Sequence, residues 1–184
     1  MTKPPQISFS HVGIFVIDPA RMEAFYTRLF GFTVTDRGRL ATPRGAVDLV
    51  FLSRDPGEHH QLVLCSGRPP ELPFNVINQL SFRVGSLGEL CSLYRQLATE
   101  PVSEISPVTH GNAVSVYFRD PEGNRIELFV DTPWYVTQPL REPIDLTLPE
   151  AEILATVEAM ARKLPGFKPR AEWRAEMARR MDAA

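Results

Sequence analysis

THGNAVSVYFRDPEGNRIELFVD, residues 109–131, reads as a β-hairpin. Residues 112–119 alternate polar with apolar side chains, DPEGN at 120–124 is a dense turn signal, and residues 125–131 alternate again. Successive strand side chains point to opposite faces, so Ile126, Leu128 and Val130 share an aliphatic face. The opposite face carries Arg125, Glu127 and Phe129. A carboxylate between Ile126 and Leu128, on a strand covered on both sides, needs a counter-charge, hydrogen bonds or a metal. Glu127 is therefore the first functional candidate; a plain ion pair with Arg125 or Arg83 is its structural alternative.

Upstream, ISFSHVGIFVI at 7–17 alternates as a strand with Val12, Ile14 and Val16 on one face and His11, Gly13 and Phe15 on the other. Asp18-Pro19 stops it and starts a helix with Met22, Phe25, Tyr26 and Leu29 at helical spacing, closed by Gly31. Shorter strand signals follow at 32–35, 47–52 and 61–65, and SGRPPELP at 66–73 is a Pro-rich linker. Then the pattern restarts. VINQLSFRV at 76–84 is a strand, Ser86 and Glu89 form a capping box, and Leu87, Leu90, Leu93, Tyr94 and Leu97 make the helical stripe. Strands near 102–105, 113–119 and 125–130 complete the second copy.

Two β-α-β-β-β copies make an internal repeat, with 68 residues between His11 and Gln79 and 66 between Gln61 and Glu127. The expected fold is α+β: paired βαβββ modules, 7–66 and 75–131, forming an open cup-shaped mixed sheet with helices outside. They make up one domain, 1–131, and residues 132–184 form a helical extension. With the aliphatic faces packed on the helices, His11, Gln61, Gln79 and Glu127 are expected to converge on one cavity, and His59 shares the Gln61 face. A one-residue slip would exchange His59 for His60.

Composition narrows the classes. A net charge of -2, with no basic run, argues against nucleic-acid binding. Two cysteines, Cys65 and Cys91, give no disulfide framework or zinc spacing, which makes a reducing compartment the default. MTKPPQISFS lacks the apolar core of a signal peptide and no apolar run is long enough to span a bilayer, so a cytoplasmic, soluble protein is expected.

SHVGIFVID opening the first copy and YFRDPEGNRIELFVD closing the second resemble the vicinal-oxygen-chelate superfamily of glyoxalases, bleomycin-resistance proteins and type I extradiol dioxygenases. The resemblance covers residues 7–131. Thr109-His110-Gly111, Tyr117 and the continuation DTPWYV are most similar to the single-domain catechol and biphenyl-2,3-diol dioxygenase-like branch. It implies a divalent metal held by His11 and Glu127, with Gln79 standing where the dioxygenases have a histidine and Gln61 where glyoxalase-like members place a glutamine. It implies iron(II) if the protein is a dioxygenase, and zinc, manganese, nickel or cobalt otherwise.

His110 is the acid–base candidate, because an unperturbed imidazole titrates near neutrality. Tyr117 is expected to donate to a bound oxyanion. His59, Arg83, Phe129 and Trp134 are assigned to the pocket walls. Three functions are open: ring-cleavage dioxygenase for a catechol-type diol, metal-dependent isomerase or lyase of glyoxalase or epimerase type, and non-catalytic binding protein. Gln79 favours the last two, His110 and Tyr117 the first. A small aromatic substrate and a homodimer are the expected partners, with no nucleic acid or membrane. In the extension, residues 150–164 and 170–181 read as helices, with Trp134 and Tyr135 as a lid or as part of a dimer-stabilising segment.

Overall fold

Asp18 opens the first helix as its residue type requires: its carboxylate accepts from the Arg21 amide, and Pro19 sits where a missing N–H costs nothing. Such a cap contributes about 1 kcal/mol. In the computed structural model, which describes residues 8–43, 45–72 and 75–182, this helix, α1, spans Pro19–Phe30. Its Met22, Phe25, Tyr26 and Leu29 stripe is buried as expected, and Gly31 ends it at φ 66, a left-handed conformation that favours glycine.

The chain forms two compact units, dividing after Asn75. In the first, β1 (Val12–Val16), α1, β2 (Thr33–Thr42), β3 (Gly45–Ser53) and β4 (Leu62–Ser66) give a four-stranded sheet ordered β1-β4-β3-β2. Strand β1 runs parallel to β4, and the other neighbours are antiparallel. Strands β3 and β4 lie within two residues of expectation, and β1 and β2 depart further. Strand β1 starts only at Val12, leaving 8–11 ahead of the sheet, while Ile7 lies outside the described residues, as does Pro73 of the linker. Strand β2 is ten residues long because pairing with β3 organises a polar stretch that has no alternation of its own.

The second unit repeats the plan. Here β5 (Leu80–Arg83), α2 (Leu87–Gln96), β6 (Ser103–Thr109), β7 (Ala113–Arg119) and β8 (Arg125–Asp131) are ordered β6-β7-β8-β5, with β5 parallel to β8. The α+β class and the βαβββ repeat are thus both present. Ser86 caps α2 by accepting from the Glu89 amide, and Glu89 reaches back to the Gly85 amide. Asp120 folds the β7–β8 turn: its side chain accepts from the amides of Glu122 and Asn124, and Gly123 takes φ 82.

The register corrects one equivalence. Val12 pairs with Leu62 and Leu80 with Ile126, so the residue matching Glu127 is Val63. The last strands are therefore 64 residues apart, and Gln61 lies two residues before the matching position.

The remaining elements pack within the second unit: β9 (Trp134–Tyr135), β10 (Glu142–Pro143), α3 (Glu150–Ala161), β11 (Lys168–Pro169) and α4 (Arg170–Asp182). Strand β10 extends the sheet beyond β6, and β11 pairs with β9. Ile153, Val157 and Ala161 bury one face of α3. The Trp134 and Tyr135 rings both have partners within their own unit. Trp134 is buried and donates its indole N–H to the Gly111 carbonyl at 2.6 Å, while Tyr135 stacks on Trp173 at 5.1 Å. Arg170 ties α4 to the end of β8 through Asp131, at 2.7 Å, and to the Asn112 carbonyl. Among the described residues no helix is long and apolar enough to cross a membrane.

Candidate functional site

The hairpin that decides the fold also builds the site, because its strands put chemistry in one row. Ser81 of β5 and Tyr117 of β7 flank Glu127 of β8 as direct ladder partners. Cross-strand partners share a face, so the three side chains meet. Glu127 is buried at 7% exposure. Its Oε1 accepts from the Tyr117 hydroxyl at 2.6 Å, and its Oε2 accepts from Ser81 Oγ at 2.6 Å and from Gln79 Nε2 at 2.9 Å.

His110 comes from the β6–β7 turn. Thr109 Oγ1 accepts from the Gly111 amide and donates to the Ala113 carbonyl, closing the turn. Gly111 takes φ 73 with its carbonyl accepting from Trp134 and Thr132, and a Cβ there would collide with Val136. The turn holds the imidazole so that Nδ1 lies 2.6 Å from the Leu140 carbonyl and Nε2 lies 3.0 Å from the Tyr117 hydroxyl and 3.6 Å from Glu127 Oε1. A carbonyl can only accept, so Nδ1 carries a proton.

The Tyr117 proton is committed to Glu127, which makes an Nε2–H favourable as well. The Glu127 carboxylate, 3.6 Å from Nε2, raises the His110 pKa against the opposing effect of burial. For Glu127, burial alone would raise the pKa, but His110, Ser81 and Tyr117 outweigh it and lower the value to about 2. The Ser115 hydroxyl, fully buried on the same face, also favours the charged form without making a hydrogen bond of its own. Burial, reinforced by the Glu127 charge, pushes the Tyr117 phenol up to about 12.

So Gln79 meets Glu127 on the face where both were expected, and Tyr117 and His110 join them. Neither arginine named as a partner of Glu127 takes that role: Arg83 pairs with Asp131 at 3.1 Å beside the Phe129 ring, and Arg125 lies over the Tyr117 ring. Trp134 belongs to the core. Ser81, which sequence reasoning missed, was signalled by its same-face spacing from Gln79. Leu140 acts only through its carbonyl and left no side-chain signal.

In the first unit, Gln61 Oε1 accepts from the Arg54 amide and closes the β3–β4 loop. His11 lies just ahead of β1 with its ring 4.2 Å from that of His60, and His59 Nδ1 is 2.9 Å from His60 Nδ1. Strand β4 begins at Leu62, so alternation does not extend to 59 and 60, and it is His60 that meets His11. Burial and the neighbouring His11 and His59 lower the His60 pKa.

Among the described residues no three His, Cys, Asp or Glu side chains form a group that could hold a metal ion. In the second unit the donor chemistry is that of an ionised carboxylate and an amide. Glu127 uses three of roughly four lone-pair positions. Gln79 turns its nitrogen to Glu127, and rotation of the amide would offer its oxygen. That pair fits an oxygen-preferring divalent cation; it does not supply the two imidazoles of an iron(II) facial triad.

A family model described as the Glyoxalase/Bleomycin resistance protein/Dioxygenase superfamily matches residues 8–128. The chain belongs to this superfamily. Two relatives within reach of it are both from Rhodococcus globerulus. Biphenyl-2,3-diol 1,2-dioxygenase 3 is 36% identical over 88 residues, covering 45% of this chain and 46% of that protein. Biphenyl-2,3-diol 1,2-dioxygenase 2 is 32% identical over 136 residues, covering 71% and 65%. The matches thus span from about half to just under two thirds of these relatives' length. A solved glyoxylase/bleomycin resistance protein/dioxygenase domain from Frankia sp. EAN1pec shares the superfamily fold, with TM-score 0.56 and 22% identity over 70% of this chain and 100% of that one.

Proposed function

We propose that the protein is a metal-dependent, extradiol dioxygenase-like oxidoreductase acting on a catechol-type aromatic diol. The observation that carries this reading is the linked chain His110–Tyr117–Glu127, in which an imidazole, a phenol and an ionised carboxylate share hydrogen bonds on one sheet face. Similarity to two biphenyl-2,3-diol dioxygenases supports the diol as substrate class.

Glu127 and, after rotation of its amide, Gln79 would hold a divalent cation, which when bound supplies Lewis-acid polarisation of the diol oxygens and, as iron(II), access to dioxygen. The chain's own residues handle the protons. His110 is anchored at Nδ1 by the Leu140 carbonyl; its Nε2–H can first donate a proton, and the neutral ring that results can take one from a diol hydroxyl at Nε2. Tyr117 stays protonated at neutral pH, and once Glu127 is engaged elsewhere its O–H is free to donate to a substrate oxyanion.

The test is oxygen uptake by anaerobically purified, iron(II)-reconstituted protein given catechol and biphenyl-2,3-diol. Uptake with ring-cleaved product is expected, falling about a hundred-fold or more in His110→Ala. No uptake by metal-loaded protein would overturn the reading. Gln79 in place of an imidazole favours a second reading, a metal-dependent isomerase or lyase. Activity with zinc, nickel or manganese on an α-hydroxycarbonyl substrate, without oxygen consumption, would establish that instead.

A further inference from the structure

Behind the Tyr117 ring the second unit holds a cleft of about 650 Å³, lined by Glu104, Ser106, Tyr117, Arg119, Arg125 and Arg141 among others. Three arginines against one carboxylate make it locally cationic on a chain whose net charge is -2. The lone carboxylate is spoken for. Glu104 sits at the β6 bulge with φ 54, an uncommon left-handed conformation for a glutamate, and accepts from Arg119 Nε at 2.9 Å. Arg119 also donates to the Gly123 carbonyl.

Arg125 and Arg141 are different. Among the described residues neither has a carboxylate partner within ion-pair distance. The Arg125 guanidinium lies 4.4 Å from the Tyr117 ring centre, and that of Arg141 lies 5.7 Å from it while donating to Ser106 Oγ. Two guanidinium groups held beside one aromatic ring line a cleft of ligand size, and each offers the planar pair of N–H donors that the two oxygens of a carboxylate accept. The same Tyr117 carries the hydroxyl of the proton-handling chain on its other end.

We propose that Arg125 and Arg141 form a carboxylate-binding subsite, so that the ligand of this protein is an aromatic carboxylate; that the ligand is aromatic rests on the function proposed above. Arg141 belongs to the segment outside the repeat, one residue after Leu140, whose carbonyl anchors His110. That segment therefore supplies specificity as well as support.

The test compares binding of benzoate with uncharged benzamide, by titration calorimetry on the full chain, with no metal and no turnover. Benzoate is expected to bind about tenfold more tightly, a preference that shrinks with added salt. Arg125→Gln and Arg141→Gln should each abolish it, and Arg39→Gln, on an exposed strand of the first unit, should leave it intact. Arg141 is solvent-exposed, so its variant remains informative even where Arg125→Gln fails to fold. Equal binding of the two ligands, no binding of either, or a preference surviving in Arg141→Gln would overturn the subsite. Oxygen uptake with catechol alongside a carboxylate preference of zero would remove the subsite and keep the proposed reaction; the opposite pair of results would do the reverse.

Discussion

Tyr117 stands directly across the β7–β8 ladder from Glu127 and donates its hydroxyl to Oε1 at 2.6 Å. The bond consumes the phenol's only proton and leaves its oxygen to meet His110, so one tyrosine couples a base to a buried anion.

Tyr117→Phe removes that coupling. The variant is expected to lose about 1–3 kcal/mol of stability, because Glu127 Oε1 loses its nearest donor while staying buried. Under the proposed function, kcat should also fall about a hundred-fold or more. Urea unfolding and steady-state kinetics on the same preparation separate the two effects. A variant as stable as the parent would mean the hydrogen bond contributes nothing.

Stability should depend on pH through two groups acting in opposite senses. Glu127, with its pKa lowered from 4.5 to about 2, stabilises the fold above pH 4.5, and that contribution is lost as pH falls toward 2. Its full size is on the order of 3 kcal/mol. His110, with its pKa raised above 6.5, contributes most below pH 6.5 and loses that contribution as pH rises through the raised value. For these two groups the chelator-treated protein is most stable between the two ordinary pKa values. Urea midpoints measured against pH should show an acid limb in the parent that flattens in Glu127→Gln. Parallel curves for the two proteins would count against the assignment.

Gly111→Ala forces an L side chain into φ 73 and drives its Cβ into Val136. A cost of about 1–3 kcal/mol is expected, together with displacement of His110. Thermal unfolding reads the first, and the chemical shifts of the His110 ring read the second. An alanine variant with unchanged ring shifts would show that the turn does not position the imidazole.

Gln79→His introduces the imidazole that an iron(II) site prefers. Anaerobic titration should give roughly tenfold or tighter iron(II) binding than the parent. If the affinity stays the same, residue 79 takes no part in holding a metal.

Much of this was legible in the sequence, because the repeat is carried by local signals. Alternation located β7 and β8, the Asp18 and Ser86 caps located both helices, and DPEGN located the turn that sets Tyr117 opposite Glu127. Face parity put Gln79 on the Glu127 side of the sheet, whereas the approach of Tyr117 depends on the β7–β8 register and that of His110 on the fold of its turn. What escaped had non-local causes. Strand β2 is polar and is shaped by its neighbour β3, and Gln61 is occupied by a backbone amide no pattern announces. Trp134, assigned to a pocket wall, is buried with its indole bonded to the Gly111 carbonyl, a contact that no sequence pattern announces.

The closing strands of the two copies stand 64 residues apart and the opening strands 68, so the connections of the first copy are four residues longer. Loop and helix residues do not alternate between sheet faces, and the pairing register within each sheet alone decides which side chains share a row. A difference in connection length is thus absorbed outside the ladder, and Glu127 keeps facing its tyrosine because β7 and β8 are joined by a short turn that fixes their register.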